Sequence, residues 1–202
     1  MSYRLCEIFY SIQGEGIHAG RPAVFCRFAG CNLDCVFCDT DWVNIDRPGG
    51  GEYAAADQLV AAVTACWPSE SRSSCKPMVV CTGGEPLLQL DAALIAGLHR
   101  EGYQVALETN GTLLPPAEID WVCVSPKSLT SLVATTGDEL KLLYPLPEIA
   151  PTDVEHLDFR HFCLQPIDGQ DLKRNTHRAI EYCLRHPKWR LSIQVHKLIG
   201  VQ

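Results

Sequence analysis

The chain lacks the features that mark several whole classes of protein. No apolar run approaches the roughly 20 residues that span a bilayer, so no membrane association is expected. The opening MSYRLCEIFY has no basic stretch followed by an apolar core and a small-residue cleavage site. No secretory leader is read there, and a cytoplasmic location is expected. Internal repeats and low-complexity segments are missing too. Basic charge is scarce: Lys and Arg number 17 against 24 Asp and Glu, a net charge of −7, and the longest cationic cluster is Lys173-Arg174. A nucleic-acid binder shows a basic face, so no polynucleotide partner is expected. Of 202 residues, 47% are hydrophobic and 20% charged, ordinary values for a globular chain that buries about 70% of its unfolded surface without disulfide staples.

One residue type is in excess. Eleven cysteines are many for an intracellular enzyme, and an odd number cannot all pair. Reduced thiols that cluster read as metal ligands.

Short β-rich runs alternate with helical patterns. Strands are predicted over Leu5–Ile12, Ala23–Phe28, Met78–Cys81, Gln104–Glu108, Trp121–Val124, Leu140–Leu143, Phe162–Leu164 and Arg190–Val195. Helices are predicted over Ala55–Trp67, Leu88–Glu101 and Leu172–His186. Asp91 and Asp171 are candidate helix-start acids, and Gly102 suits a left-handed C-terminal cap. Arg47–Gly51, Ser69–Ser74 and Tyr144–Pro151 read as loops. This alternation indicates an α/β fold with a mainly parallel sheet. Eight strands suggest a barrel, but a complete (β/α) barrel typically needs about 250 residues, and only three strong helices are present. The expectation is an incomplete, open (β/α) barrel with reduced helical cover and its functional groups at the C-terminal strand ends.

Cys31, Cys35 and Cys38 spell C-x3-C-x2-C. Three thiolates within eight residues can converge on one soft metal centre from a loop and leave one position open. Spacing alone leaves three readings: a zinc knuckle completed by a distant residue, buried small hydrophobes, or a [4Fe–4S] cluster with one iron lacking a protein ligand. Of the other eight cysteines, Cys66, Cys123, Cys163 and Cys183 read as buried hydrophobes and Cys75 lies in a polar loop. Cys26 is the one rival as an extra ligand. Farther on, Cys81-Thr82-Gly83-Gly84-Glu85-Pro86 follows the apolar run Met78–Val80. Its two glycines let backbone approach a ligand closely, and a nearby carboxylate could help hold an ammonium.

The triplet, with Phe37 before its last cysteine, resembles the signature of the radical S-adenosylmethionine superfamily, and Gly83–Pro86 resembles that superfamily's GGEP motif. The resemblance implies a radical SAM-type open barrel spanning 1–202 as a single core domain. It implies a cluster on Cys31, Cys35 and Cys38, with the fourth iron chelated by S-adenosylmethionine. Longer stretches narrow it: Glu7–Gly16, Gly20-Arg21-Pro22, Phe25–Leu33, Cys38-Asp39-Thr40, Glu108–Gly111, Val124–Lys127, Glu139-Leu140-Lys141, Gln165–Asp168 and Gln194–Lys197. Together these resemble the 7-carboxy-7-deazaguanine synthases.

That resemblance implies a lyase that converts 6-carboxy-5,6,7,8-tetrahydropterin to 7-carboxy-7-deazaguanine with loss of ammonia, in 7-deazapurine (queuosine) biosynthesis. It requires the cluster, S-adenosylmethionine and Mg2+. Cofactor contacts are expected at Phe37, Cys38, Asp39, Gly84, Ser125, Pro126, Lys127, Gln165, Pro166, Ile167 and Asp168, and a magnesium ligand at Thr40. Substrate contacts are expected at Ile12, Gln13, Gly14, Glu15, Arg27, Thr82, His196 and Gln202. Arg27 offers a bidentate fork to a carboxylate, whereas Gln13 and its neighbouring backbone can read a heterocycle edge. Glu15, Glu108 and His196 are the candidate catalytic side chains. A reducing partner such as flavodoxin and a homodimer are also implied. A glycyl-radical activase and a non-catalytic zinc module are the competing readings.

Overall fold

The computed structural model describes residues 2–68 and 76–202, so the Ser69–Ser74 loop and Cys75 lie outside the described residues. Among the described residues a single nine-stranded sheet runs in the order β3-β1-β2-β4-β5-β6-β7-β8-β9. The strands are β1 (Tyr3–Ile12), β2 (Pro22–Phe28), β3 (Gly51–Tyr53), β4 (Met78–Gly83), β5 (Gln104–Thr109), β6 (Trp121–Val124), β7 (Thr136–Tyr144), β8 (Asp158–Pro166) and β9 (Trp189–Leu191). From β2 through β9 every neighbour is parallel, whereas β1 pairs antiparallel with both β2 and β3. β3 and β9 are edges, so the sheet does not close. The expected open barrel is the observed architecture, with an antiparallel margin that the sequence did not announce.

Strand alternation assigns side chains to two faces. Val24, Cys26 and Phe28 of β2 join Val79, Cys81, Val105 and Leu107 against α1 (Ala56–Cys66) and α2 (Ala92–Arg100). Leu59, Val63, Leu94 and Leu98 meet them from the helices and are fully buried. Each such side chain contributes about 1.5–3 kcal/mol. The intervening residues Phe25, Val80 and Ala106 face the concave side. A bulge between Leu5 and Glu7 shifts the register of β1. Leu5 and Ile8 therefore both join the helix-side core, and Glu7 and Phe9 turn into the concave side. A second core joins Leu140, Leu142, Phe162 and Leu164 to Ala179 of α4 (Leu172–Arg185) and to Trp189.

Three expectations shift. The predicted Leu88–Glu101 helix is divided into a short 3-10 turn, Pro86–Leu88, and α2. Asp91 caps α2 by accepting from Leu94 N at 2.9 Å, and the Gln89 amide is held by Arg4 N and Ala29 O. The predicted Arg190–Val195 strand stops at Leu191, and Val195 starts a five-residue helix, α5 (Val195–Ile199), closed by left-handed Gly200. Gly51, read as loop, starts β3. A four-residue helix, α3 (Pro151–Val154), precedes β8. No helix among the described residues is long and apolar enough to cross a membrane.

Candidate active site

One cavity of about 430 Å³ opens at the C-terminal ends of the parallel strands. Cys31, Cys35 and Cys38 all line it from the loop that follows β2. Cys31 and Cys35 are half-buried, Cys38 is exposed, and none is in a disulfide. Gly30 N donates to Trp42 O at 2.9 Å and joins the two ends of the loop, and Cys38 N donates to Cys35 O at 3.0 Å in a turn within it. Asn32 bridges it to the segment after β5, donating to Thr112 Oγ1 at 2.7 Å and accepting from Asn110 Nδ2 at 2.9 Å. Burial raises the Cys35 thiol, opposed by the Lys127 ammonium. Cys26 is not a rival ligand. It is buried on the opposite face of β2, beside Cys81, and burial lifts its thiol well above the usual range. Soft thiols carried on one loop and facing shared space fit an iron–sulfur cluster held at three corners.

The Gly83-Gly84 turn seats this loop. Gly84 N donates to Phe28 O at 3.0 Å, and Glu85 N donates to Gly30 O at 2.9 Å. A Cβ on Gly84 would overlap the Gly30 carbonyl, so glycine is needed for the strand end to pack on the cysteine loop. The Glu85 carboxylate is not offered to a ligand. It is fully buried and accepts from Thr109 Oγ1, Asn110 N and Leu87 N. Burial raises its carboxyl group and those hydrogen bonds oppose the rise.

A buried charge cluster lies deeper. Lys141, on the concave face of β7, is only 3% exposed and donates to Glu15 at 2.5 Å and Glu108 at 3.0 Å. Burial opposes both charges, but the attraction wins: Glu15 is held down at about 2 by Lys141, and Lys141 is held up by Glu108 and Glu15. Gln13 Nε2 donates to Glu108 at 2.9 Å, and Gln13 Oε1 accepts from Glu15 N. The Gly14 carbonyl accepts from Val195 N. These groups, expected to read a heterocycle edge, are already paired within the protein, and Gln13 orients the glutamates. Lys127 donates to Ser125 Oγ at 2.6 Å. Burial lowers its ammonium, and Lys141 lowers it further.

At the other end of the cavity Arg27 sits beside Thr82 in the β2–β4 register. Its Nε donates to Glu7 at 2.7 Å, and its guanidinium lies over the Phe9 ring, 6.0 Å from the centroid. The buried Glu7 also meets Arg47 at 3.5 Å and accepts from Gln202 Nε2 at 2.6 Å. Gln202 thus reaches the cavity wall with its amide held by Glu7.

α5 supplies the last wall. Gln194 Nε2 donates to Glu15 at 2.9 Å and Asp39 at 3.0 Å. His196 packs against Gly14, where a Cβ would overlap its ring. Of the residues expected at the site, all line this cavity except Pro126. Pro126 is buried behind Ser125 and Lys127. Thr40 is on the wall with its hydroxyl near Asp39. Sequence reasoning assigned no roles to Glu7, Arg47, Lys141, Gln194 and Lys197. Glu7, Lys141, Gln194 and Lys197 stood inside recognised stretches, and Arg47 carried no signal.

The radical SAM superfamily profile matches residues 26–186. Proteins named 7-carboxy-7-deazaguanine synthase from Bradyrhizobium diazoefficiens and Caulobacter vibrioides are 52% and 51% identical, each alignment covering 100% of both chains. The crystal structure of QueE from Escherichia coli superposes with a TM-score of 0.71 at 26% identity, covering 97% of this chain and 95% of that one.

Proposed function

This chain belongs to the 7-carboxy-7-deazaguanine synthase family of the radical SAM superfamily, and we propose how its residues divide the work of that family's ring contraction. It takes 6-carboxy-5,6,7,8-tetrahydropterin to 7-carboxy-7-deazaguanine and ammonia, as one radical SAM core over residues 1–202. Full-length relatives at about half identity set aside the activase and zinc-module readings. When bound, the [4Fe–4S] cluster and S-adenosylmethionine supply a 5′-deoxyadenosyl radical, and Mg2+ supplies positive charge beside the substrate.

Cys31, Cys35 and Cys38 would hold the cluster, and the Thr40 hydroxyl would hold Mg2+, which keeps most of its remaining ligands as waters and substrate oxygens. Gly84, Phe37–Asp39, Ser125, Lys127 and Gln165–Asp168 would hold S-adenosylmethionine. Arg27 binds the substrate carboxylate with its terminal nitrogens, since Glu7 holds Nε. Thr82 and Ile12 flank that subsite. Glu15 and Glu108 accept from the N–H groups of the pyrimidine edge, kept ionised by Lys141 and fixed by Gln13 and Gln194. His196, set against Gly14, closes the substrate side, with Gln202 beside Arg27 through Glu7. A homodimer, a reducing partner such as flavodoxin and a cytoplasmic location are proposed with this reading.

The observation that carries it is the cavity itself, in which a three-thiol loop, an arginine fork and a lysine-bridged glutamate pair face the same space. The test is turnover by anaerobically reconstituted, reduced protein given the carboxypterin, S-adenosylmethionine and Mg2+. Formation of 7-carboxy-7-deazaguanine is expected, and its absence from cluster-loaded protein overturns the assignment.

A further inference from the structure

α5 has no buried residue, and Leu198 and Ile199 are 70% and 55% exposed. Apolar burial therefore does little to hold this helix to the barrel mouth. Beyond the Val195 N bond to the Gly14 carbonyl and the Gln194 amide at its N-cap, its polar contacts converge on one ammonium. Lys197 Nζ donates to Asp39 at 2.8 Å, to Asp168 at 2.6 Å and to Gln194 Oε1 at 2.9 Å, which uses all three of its N–H donors. Asp39 directly follows the last cysteine of the C-x3-C-x2-C loop, and Asp168 lies in the loop after β8. The two carboxylates face one another across the lysine, and the Asp39 charge opposes ionisation of Asp168. Lys197 holds the Asp168 carboxyl below its usual range, and the two carboxylates hold its ammonium up against burial. Without that cation, two like charges would push the loops apart.

We propose that Lys197 is a positioning residue for S-adenosylmethionine binding, drawing the cysteine loop and the β8 loop to the spacing at which both reach the cofactor. This rests on the reading of those loops as cofactor walls. The three donors of Lys197 are spent within the protein. The lysine acts through Asp39 and Asp168, so its loss weakens cofactor binding and leaves the chemistry of the filled site intact.

The test compares reconstituted wild-type holoenzyme with Lys197→Arg, Lys197→Met and Lys197→Glu. Binding of S-adenosylmethionine is measured by equilibrium dialysis, the reduced cluster by electron paramagnetic resonance, and hydrogen exchange over 38–41 without cofactor. Lys197→Met should raise Kd and KM for S-adenosylmethionine about tenfold, the scale of charged hydrogen bonds lost together. Its kcat at saturation and its KM for the pterin should stay within about twofold. Lys197→Arg should recover most of the affinity, Lys197→Glu should be worse than Lys197→Met, and exchange over 38–41 should quicken in the same order. Wild-type affinity in Lys197→Met, or equal affinities for Met and Glu, overturns the clasp. A wild-type cluster whose resonance ignores S-adenosylmethionine overturns the cofactor reading instead, and the clasp with it.

Discussion

The two faces of one sheet put the same residue types to opposite uses. On the convex face Cys26 and Cys81 pack among Val79, Val105, Leu94 and Leu98, where burial raises both thiols, Cys81 to about 12. On the concave side and its rim, Cys31, Cys35 and Cys38 stand free around a cavity shared with Lys141, Glu15 and Glu108. The convex face is stabilised by removing apolar area from water, and the concave face adds to its own apolar cluster of Phe25, Val80 and Ala106 a set of charges paired where water reaches poorly. Cys26 lies only five residues before the triplet, but strand parity turns it to the convex face and away from the cavity.

The contrast is sharpest for the thiols. Cys35→Ala should abolish cluster loading and turnover while shifting stability by about 0.5 kcal/mol or less, as for other partly exposed sites. Iron content and thermal unfolding check both parts. Lys141→Met strikes the buried charges. It leaves Glu15 and Glu108 without their cation and should cost about 3–5 kcal/mol, along with substrate affinity, as read by denaturant unfolding and pterin KM.

The same cluster predicts an acid response. The folded Glu15 carboxyl sits at about 2, below its ordinary value of 4.5. The unfolded chain therefore binds its proton first as pH falls. Its contribution to stability is fully present above 4.5 and is lost as pH drops towards about 2. In Lys141→Met that acid-linked loss should largely vanish, which a pH series of unfolding midpoints would show.

Convex-face changes should reverse the pattern. Leu98→Ala removes a fully buried side chain and should cost about 2–5 kcal/mol. Iron content per folded chain should stay at the wild-type level. Cys26→Ala should have the smallest effect, about 1 kcal/mol of stability with wild-type cluster loading. Loss of iron in that variant would break the division between the faces.

Much of this was legible in the sequence. Period-two strands, the cysteine triplet and the two-glycine turn are local patterns, and each is carried by residues within a few positions of one another. What escaped depends on distance or on a single irregularity. Lys141 reads as a lone cation in an apolar strand because its partners lie 126 and 33 residues away. Glu7 enters the cavity only because of the bulge after Leu5, which alternation alone cannot place. Gln194 to Ile199 mixes β-branched and polar residues, so its helix, held by polar contacts and not by an apolar stripe, has no periodic signal.

Metal and sulfide analysis of protein purified without oxygen tests the central claim most directly. About four iron and four acid-labile sulfide per chain are predicted, with a resonance of the reduced cluster that changes when S-adenosylmethionine is added. Colourless protein that carries zinc and no sulfide would contradict the account.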